Sequence, residues 1–223
     1  MHEFREIYEL PAARFSRSDI EKLGQLISGG LRVKPGAFDF SLSDGVKKHR
    51  ASSLDDLLSQ ELPQSIDALS FEALGWTDDD NIDRSVRVDV SRTFAQCHIF
   101  SQDEVWFSGK AQQIKELFSG CSPWYGKIRP AIPGVIGALE GISVFLLGFF
   151  LLSQQFFFSA ISGLTLLVLF RFFWSFSNGR LFPLVDIELS QKRRGPDRET
   201  IMVFFIAIGA LASVVGVLVR VLR

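Results

Sequence analysis

Glu140 is the residue whose setting most strongly suggests chemistry, because it is a carboxylate inside an apolar run that covers residues 131–152. A charged side chain at the centre of a membrane-spanning helix costs about 2.5 kcal/mol or more on insertion scales, so it should face a partner or water rather than lipid. In a pore, a ring of carboxylates would favour cations. The alternative is a structural carboxylate that forms hydrogen bonds between packed helices.

Small residues accompany Glu140 in the apolar runs. Four glycines of the first run fall within about 60° of one another on a helix: Gly134, Gly137, Gly141 and Gly148. Glycines on one side let a neighbouring helix approach closely, and Gly137 and Gly141 form a GxxxG pair. The last apolar run has its own small residues, which are Gly209, Ser213 and Gly216. If copies of the chain close into a ring, we expect Glu140, Gly137, Gly141 and Ser213 to line an ion pathway, while the remaining glycines pack helices.

A basic group in the first half of the chain suggests a second kind of site. Lys47, Lys48 and Arg50 precede a predicted helix, and Arg32 and Lys34 lie upstream. Backbone amides at a helix start, together with basic side chains, suit a phosphate-bearing ligand. The alternative is a solvated basic loop that faces anionic lipid head groups.

The other reactive residue types form no catalytic or metal-binding pattern. No histidine stands at metal-ligand spacing from another histidine or from either cysteine. The neighbours Cys97 and His98 point to opposite faces of a predicted strand. No phosphate-binding glycine loop, nucleophile elbow or dinucleotide fingerprint is present, and the acidic run 78–80 lacks the length of a calcium loop. The sequence predicts no enzymatic activity, no cofactor and no metal.

Composition divides the chain into a soluble part and a membrane part. The 223 residues carry a formal net charge of −1, with residues 1–129 net negative and residues 130–223 net positive and rich in long apolar runs. The expected fold is an α+β soluble domain over residues 1–129, followed by an all-α membrane domain over residues 130–223. Three runs reach the roughly 20 residues that a membrane span needs: 131–152, 156–176 and 200–222.

Lysines and arginines set the expected orientation. They precede the first run and lie between the second and third runs, whereas the connection at 153–155 carries no charge. The positive-inside rule then keeps residues 1–129 and the 177–199 loop in the cytoplasm. Arg220 and Arg223 fall on the outer side, where they can snorkel to the interface.

Alternation and capping patterns predict the elements of the soluble domain. In the 85–91 run, Val86, Val88 and Val90 alternate with charged residues, the period of a half-buried strand. Further strands are expected at 3–10, 37–42, 66–76 and 93–101, and together they form a mainly antiparallel sheet. One helix should follow Ser18, with Glu21 completing a capping box, and another should follow Ser52 or Ser53. We expect a hairpin turn at 101–103 that leads into the EVWFSG stretch, and a last helix over 110–118.

The loop between the second and third runs contains a further alternating stretch, at 184–189. A strand there would add to the edge of the N-terminal sheet and couple that domain to two membrane helices. The alternative is an ordinary membrane-surface loop.

The layout of a small α+β domain followed by short-looped membrane helices resembles bacterial anti-phage membrane effectors of the Hailong type. The stretch PGVIGALEGISVF, with its acid and glycines, and the basic group at 47–50 fit the two roles of such an effector. The resemblance implies a homo-oligomeric channel of the bacterial inner (plasma) membrane whose soluble domain senses a nucleotide or oligonucleotide. Layout alone also fits a membrane-anchored interaction module with no pore, or a subunit of a transporter.

Overall fold

The computed structural model describes residues 3–32, 34, 36–63, 65–79, 81–189 and 209. These residues divide into two compact units. The first consists of residues 3–126 and 183–189, and the second of residues 127–182 with residue 209. The first unit is rich in antiparallel sheet and the second is helical, which confirms the predicted α+β region followed by helices.

A six-stranded antiparallel sheet forms the centre of the first unit. Its strands are β1 (Phe4–Glu9), β3 (Phe38–Ser43), β4 (Lys48–Ala51), β6 (Ala68–Trp76), β7 (Ile82–Ser91) and β8 (Ala95–Ser101). They lie in the order β1-β8-β7-β6-β3-β4, so β1 and β4 are the edges. The alternation on β7 is as predicted, because Val86, Val88 and Val90 are fully buried while Arg87 between them is exposed.

Three helices belong to this unit: α1 (Arg17–Ser28), α2 (Leu54–Ser59) and α3 (Glu104–Gly120). The apolar sides of α1 and α3 pack into the same core as the buried face of the sheet. The core is closely packed, and the rings of Phe15 and Phe118 meet edge to face with centroids 4.8 Å apart.

Two helix starts differ from the sequence prediction. The cap of α1 is Ser16 rather than Ser18, and Asp19 rather than Glu21 receives the hydrogen bonds, from the Ser16 amide at 3.1 Å and its hydroxyl at 2.6 Å. The expected turn into EVWFSG is wrong. That stretch is the first part of α3, because the Asp103 carboxylate accepts hydrogen bonds from the backbone amides of Val105 and Trp106 and so starts the helix directly after β8.

A second sheet, of three strands, joins distant parts of the chain. It contains β2 (Ala13–Ser16), β5 (Ser65–Ile66) and β9 (Val185–Glu188), with β9 in the centre. β9 runs parallel to β2 and antiparallel to β5. The stretch 184–189 therefore contains a strand, but its expected place at the edge of the larger sheet is wrong. Val185 and Ile187 are buried in the core of the first unit, which holds β9 between the two short strands.

The second unit is a helical hairpin. A short 3-10 helix (Arg129–Ala131) leads into α4 (Ile132–Leu152), and α5 (Phe156–Ser177) follows after the connection at 153–155. The two helices are long and apolar enough to cross a membrane by length and composition. Three such runs were expected, and the third, at 200–222, lies outside the described residues except for Gly209.

Candidate functional site

The hairpin buries four hydroxyl side chains among its described residues. On α5 these are Ser159, Ser162 and Thr165, and on α4 the buried hydroxyl is that of Ser143. Most of them donate to the carbonyl one turn earlier in their own helix, as Ser143 does to Leu139 at 2.8 Å. The seam between the two helices is therefore polar at several levels. Sequence analysis missed the hydroxyls of Ser143 and Thr165.

Glu140 lies on the seam side of α4. It stands one helical turn from Ile136 and Ser143, which are both buried, and such residues share one side of a helix. Its Oε1 atom is buried and has no hydrogen-bond partner among the described residues. Arg171, the arginine of α5, is exposed. An unpaired carboxylate oxygen in this setting is costly unless something outside the described residues reaches it.

The four glycines of α4 are not part of the seam. Gly134, Gly137, Gly141 and Gly148 are exposed, and a Cβ atom built on any of them would meet no other described part of the chain within 4 Å beyond its own stretch of helix. The GxxxG pair is therefore open to a further helix rather than used between α4 and α5. Of the predicted small residues in the last run, Ser213 and Gly216 lie outside the described residues.

The structure disperses the basic group that was expected to bind phosphate. The Arg32 carbonyl accepts a hydrogen bond from the amide of Trp76, at one end of β6, whereas Lys48 pairs through Ser43 with Ala68 at the other end. At about 3.3 Å per residue, these ends are about 26 Å apart. Lys34 lies on the Arg32 side, since its carbonyl accepts from the amide of Ala37.

Ion pairs and helix capping also argue against the expected phosphate site. The Arg50 guanidinium makes a bidentate contact with Asp39 at 2.6 and 2.7 Å, and Arg32 is paired with Asp78. The hydrogen bond and charge of Asp39 raise the pKa of Arg50 further. The first turn of α2 carries two carboxylates of its own, and the hydroxyl of Ser53 accepts from an amide there. That helix start therefore repels an anion. Lys47 and Lys48 are the two residues of the basic group to which these arguments do not apply.

The exposed face of the six-stranded sheet carries a groove that sequence analysis did not identify. The groove has a volume of about 610 Å³. One row of paired residues crosses it, from Ile7 on β1 through His98 and Arg87 to Glu72 on β6. A second row places Asp89 beside Arg87, with 2.6 Å between Asp89 Oδ2 and Arg87 Nε. This contact raises the pKa of Arg87 further and fixes its guanidinium on the sheet.

The two neighbours Cys97 and His98 are separated by the sheet. Cys97 is buried in the core, and its burial raises the pKa of its thiol to about 12. His98 lies in the groove on the other face together with Phe100. The signal that locates this groove in the sequence is the alternation of charged and ring-bearing residues on β7 and β8, once both strands are known to be neighbours.

Within the described ranges, no group of three or more histidine, cysteine, aspartate or glutamate side chains is arranged to hold a metal ion. No protein-family model, curated protein or solved structure matches this chain. Two candidate sites stand out in the described residues: the hairpin seam around Glu140 and the groove on the exposed face of the sheet.

Proposed function

We propose that this protein is a homo-oligomeric membrane effector that forms a ligand-gated ion pathway. The observation that carries the proposal is a buried carboxylate oxygen of Glu140 in the seam of two apolar helices, where no described residue forms a hydrogen bond with it. A carboxylate held there without a cation needs water, an ion or a second subunit to offset its cost. A pathway that admits cations supplies such an environment.

The open glycines of α4 support the oligomeric part of the proposal. Gly137 and Gly141 leave room for the backbone of another helix, and close backbone approach is what drives helix association in lipid. The seam side of α4 is already occupied by α5, so the glycines provide a separate contact surface. Glu140 is about 60° from Gly137 around the helix, and a subunit packed on the glycines would come near its carboxylate.

The soluble unit is the proposed sensor, and the groove is the best place for a ligand. A nucleotide or oligonucleotide remains the proposed ligand class. His98 and Phe100 offer ring faces on which a base can stack, and Arg5 supplies a cation at the groove. The dispersed residues of the basic group offer no comparable arrangement. In this scheme the soluble unit is cytoplasmic, and the membrane is the bacterial inner membrane.

β9 is the proposed element of coupling. It follows α5 after residues 178–184 and is the central strand of the three-stranded sheet. The entry into β9 is held within the first unit, where the Leu184 amide donates to Arg92 at 2.7 Å and the Leu184 carbonyl accepts from Ala13 at 3.0 Å. A rearrangement of the sheet on ligand binding would therefore pull on the chain that leaves α5.

The test measures ion flux into liposomes that contain the purified full-length protein, with a potential-sensitive dye as the readout. With nucleotides and short DNA oligonucleotides supplied on both sides of the membrane, we expect cation flux from the wild type, and a changed flux or ion preference from Glu140→Gln. The matched control is Glu61→Gln, which removes the same charge from an exposed position in the soluble unit. Equal flux from Glu140→Gln and wild type would remove Glu140 from the pathway.

A membrane-anchored interaction module without a pore is the second candidate. The exposed groove on the sheet favours it, because such a surface can bind a partner whether or not the helices conduct. This candidate predicts no flux in either protein, and a Glu140→Gln variant that is as stable as the wild type or slightly more stable, since a buried charge is removed.

A further inference from the structure

The edge strand β1 has a row of backbone groups that no other described strand uses. Among the described residues, β1 pairs with β8 alone. The Leu10 amide donates to Ala95 at 3.0 Å, which continues the register in which Glu9 stands opposite Gln96. In an antiparallel pair, alternate residues turn their amide and carbonyl toward the partner strand. Residues at even positions therefore face β8, and Arg5, Ile7 and Glu9 direct their backbone groups to the free edge.

The side chains of those same three residues lie on the exposed face of the sheet. Arg5, Ile7 and Glu9 are all exposed, and the Ile7 side chain is 56% exposed. An exposed isoleucine flanked two residues away by an arginine on one side and a glutamate on the other is a self-complementary pattern. Two such strands in antiparallel alignment place unlike charges opposite each other.

We propose that β1 is a dimerisation edge, at which a second copy of this chain pairs its own β1 in antiparallel register with Ile7 at the two-fold axis. In that register, Arg5 of each copy stands opposite Glu9 of the other, and Ile7 stands opposite Ile7. All three pairs are of the hydrogen-bonded kind, because they involve the residues whose backbone groups face outward. Opposite-charge and apolar cross-strand pairs both stabilise a sheet.

The neighbouring registers are less favourable. Because the outward-facing residues alternate, one strand can slide along the other only in steps of two residues. One such step toward the N-terminus places Glu6 opposite Glu6, and a second step places Arg5 opposite Arg5. A shift in the other direction places Ile7 opposite Glu9 and removes both ion pairs. Like charges directly opposite each other destabilise a sheet. The charge pattern of β1 thus selects one alignment.

The opposite edge of the sheet shows what a protected edge looks like in this protein. β4 begins with Lys48, His49 and Arg50, so two copies of β4 would bring basic side chains together. Lysine on an edge strand is a common protection against pairing. β1 has neither lysine nor proline. This contrast favours a second copy of the chain at β1 and excludes one at β4.

Pairing at β1 would also join the two grooves. Arg5 and Ile7 both line the groove on the exposed face, so the grooves of the two copies would meet at the dimer axis. The inference concerns the soluble unit and does not depend on whether the hairpin conducts ions.

The test is disulfide formation in the full-length protein, in a Cys121→Ser background that leaves only the buried Cys97. Opposed residues in a hydrogen-bonded pair have Cα atoms about 5.5 Å apart, which is within the range that a disulfide spans. We expect Ile7→Cys to form a covalent dimer under mild oxidation. In the same register the two copies of position 9 are about 14 Å apart, so Glu9→Cys should not cross-link, and neither should Lys48→Cys on the other edge.

A charge exchange provides the second measurement, and it does not depend on an introduced cysteine. Arg5→Glu and Glu9→Arg should each weaken dimerisation of the full-length protein in detergent by about tenfold, and the double variant should restore it. Absence of the Ile7→Cys dimer, equal cross-linking at positions 7 and 48, or a double variant as weak as the single ones would each overturn the proposal. Binding of a different protein at β1 would appear as the first of these outcomes, because the purified protein would then form no Ile7→Cys dimer. Ion flux is measured separately, so failure here leaves the channel proposal standing.

Discussion

Lys110 is expected to be the lysine on which the stability of the soluble unit depends most. Its side chain is only 7% exposed, and its ammonium donates to the carbonyls of Leu26 at 2.7 Å and Gly29 at 2.8 Å. Both acceptors lie at the C-terminal end of α1, where carbonyls have no partner within the helix. The ring centroid of Trp106 lies 5.4 Å from the ammonium nitrogen. Burial, followed by the nearby Arg84, lowers the pKa of Lys110, so its charge is held at a cost.

The Lys110→Met variant keeps the apolar stem and removes both donors. The Leu26 carbonyl is half-buried and loses its partner, which costs about 1 to 3 kcal/mol. The Gly29 residue is exposed, so its carbonyl can bind water instead and the loss there is about 0.5 kcal/mol. Release of a buried cation offsets part of the loss. We expect a net destabilisation of about 2 kcal/mol, which is roughly a 30-fold rise in the unfolded fraction.

Cys97 supplies a readout that is specific to the soluble unit. It is buried and its pKa is raised to about 12, so a maleimide reacts with it only after the unit opens. When closing is faster than labelling, the labelling rate follows the opening equilibrium. In a Cys121→Ser background, Lys110→Met should be labelled about 30-fold faster than its parent, and Lys47→Met, at an exposed turn, should stay within about twofold. A change below about threefold in Lys110→Met would refute the role given to these hydrogen bonds.

Three further predictions address other parts of the chain. Ile187→Ala, on the buried side of β9, should destabilise the soluble unit by about 3 kcal/mol in the same labelling assay. A labelling rate as close to that of the parent as the rate of Lys47→Met would contradict this prediction. Asp19 is desolvated, but the hydrogen bonds from Ser16 outweigh this and lower its pKa below the usual value. The stability that Asp19 adds is therefore present near neutral pH and is lost as the pH falls through the folded-state pKa. The unfolding temperature of Asp19→Asn should depend less on pH than that of the wild type, and an unchanged pH profile would contradict this. Gly137→Leu should prevent oligomerisation without changing the hairpin, because a side chain there meets no neighbouring part of the described chain but would meet the adjacent subunit in an assembly. An unchanged oligomer on native gels would exclude the glycine contact.

Local sequence patterns predicted the elements whose structure is determined by residues close together in the chain. The strand β7 and both apolar helices follow from alternation and from length, and these signals survive without knowledge of the rest of the fold. A capping box was predicted at α1, but two residues too late. The Ser16 hydroxyl, and not that of Ser18, is the cap, because it donates a hydrogen bond to the Asp19 carboxylate. At α3, a single capping aspartate overrode a stretch that reads as a strand.

Non-local pairing accounts for the larger differences. The place of β9 depends on β2 and β5, which are too short to give a clear pattern and lie far away in sequence. The basic residues are separated because β6 spans the distance between Arg32 and Lys48, which sequence spacing does not reveal. The side of α4 that Glu140 shares with Ser143 is likewise decided by where α5 packs.

The most direct test of the central claim is the reversal potential of currents from the full-length protein in a planar bilayer with a salt gradient. With nucleotides and short DNA oligonucleotides supplied, the proposal predicts discrete cation-selective currents in the wild type and a shift of the reversal potential toward zero in Glu140→Gln, with Glu61→Gln unchanged. Currents whose selectivity is the same in all three proteins would contradict a pathway at Glu140. No current from any of them, in protein shown to be monomeric in detergent, would contradict the channel itself and favour the anchored interaction module.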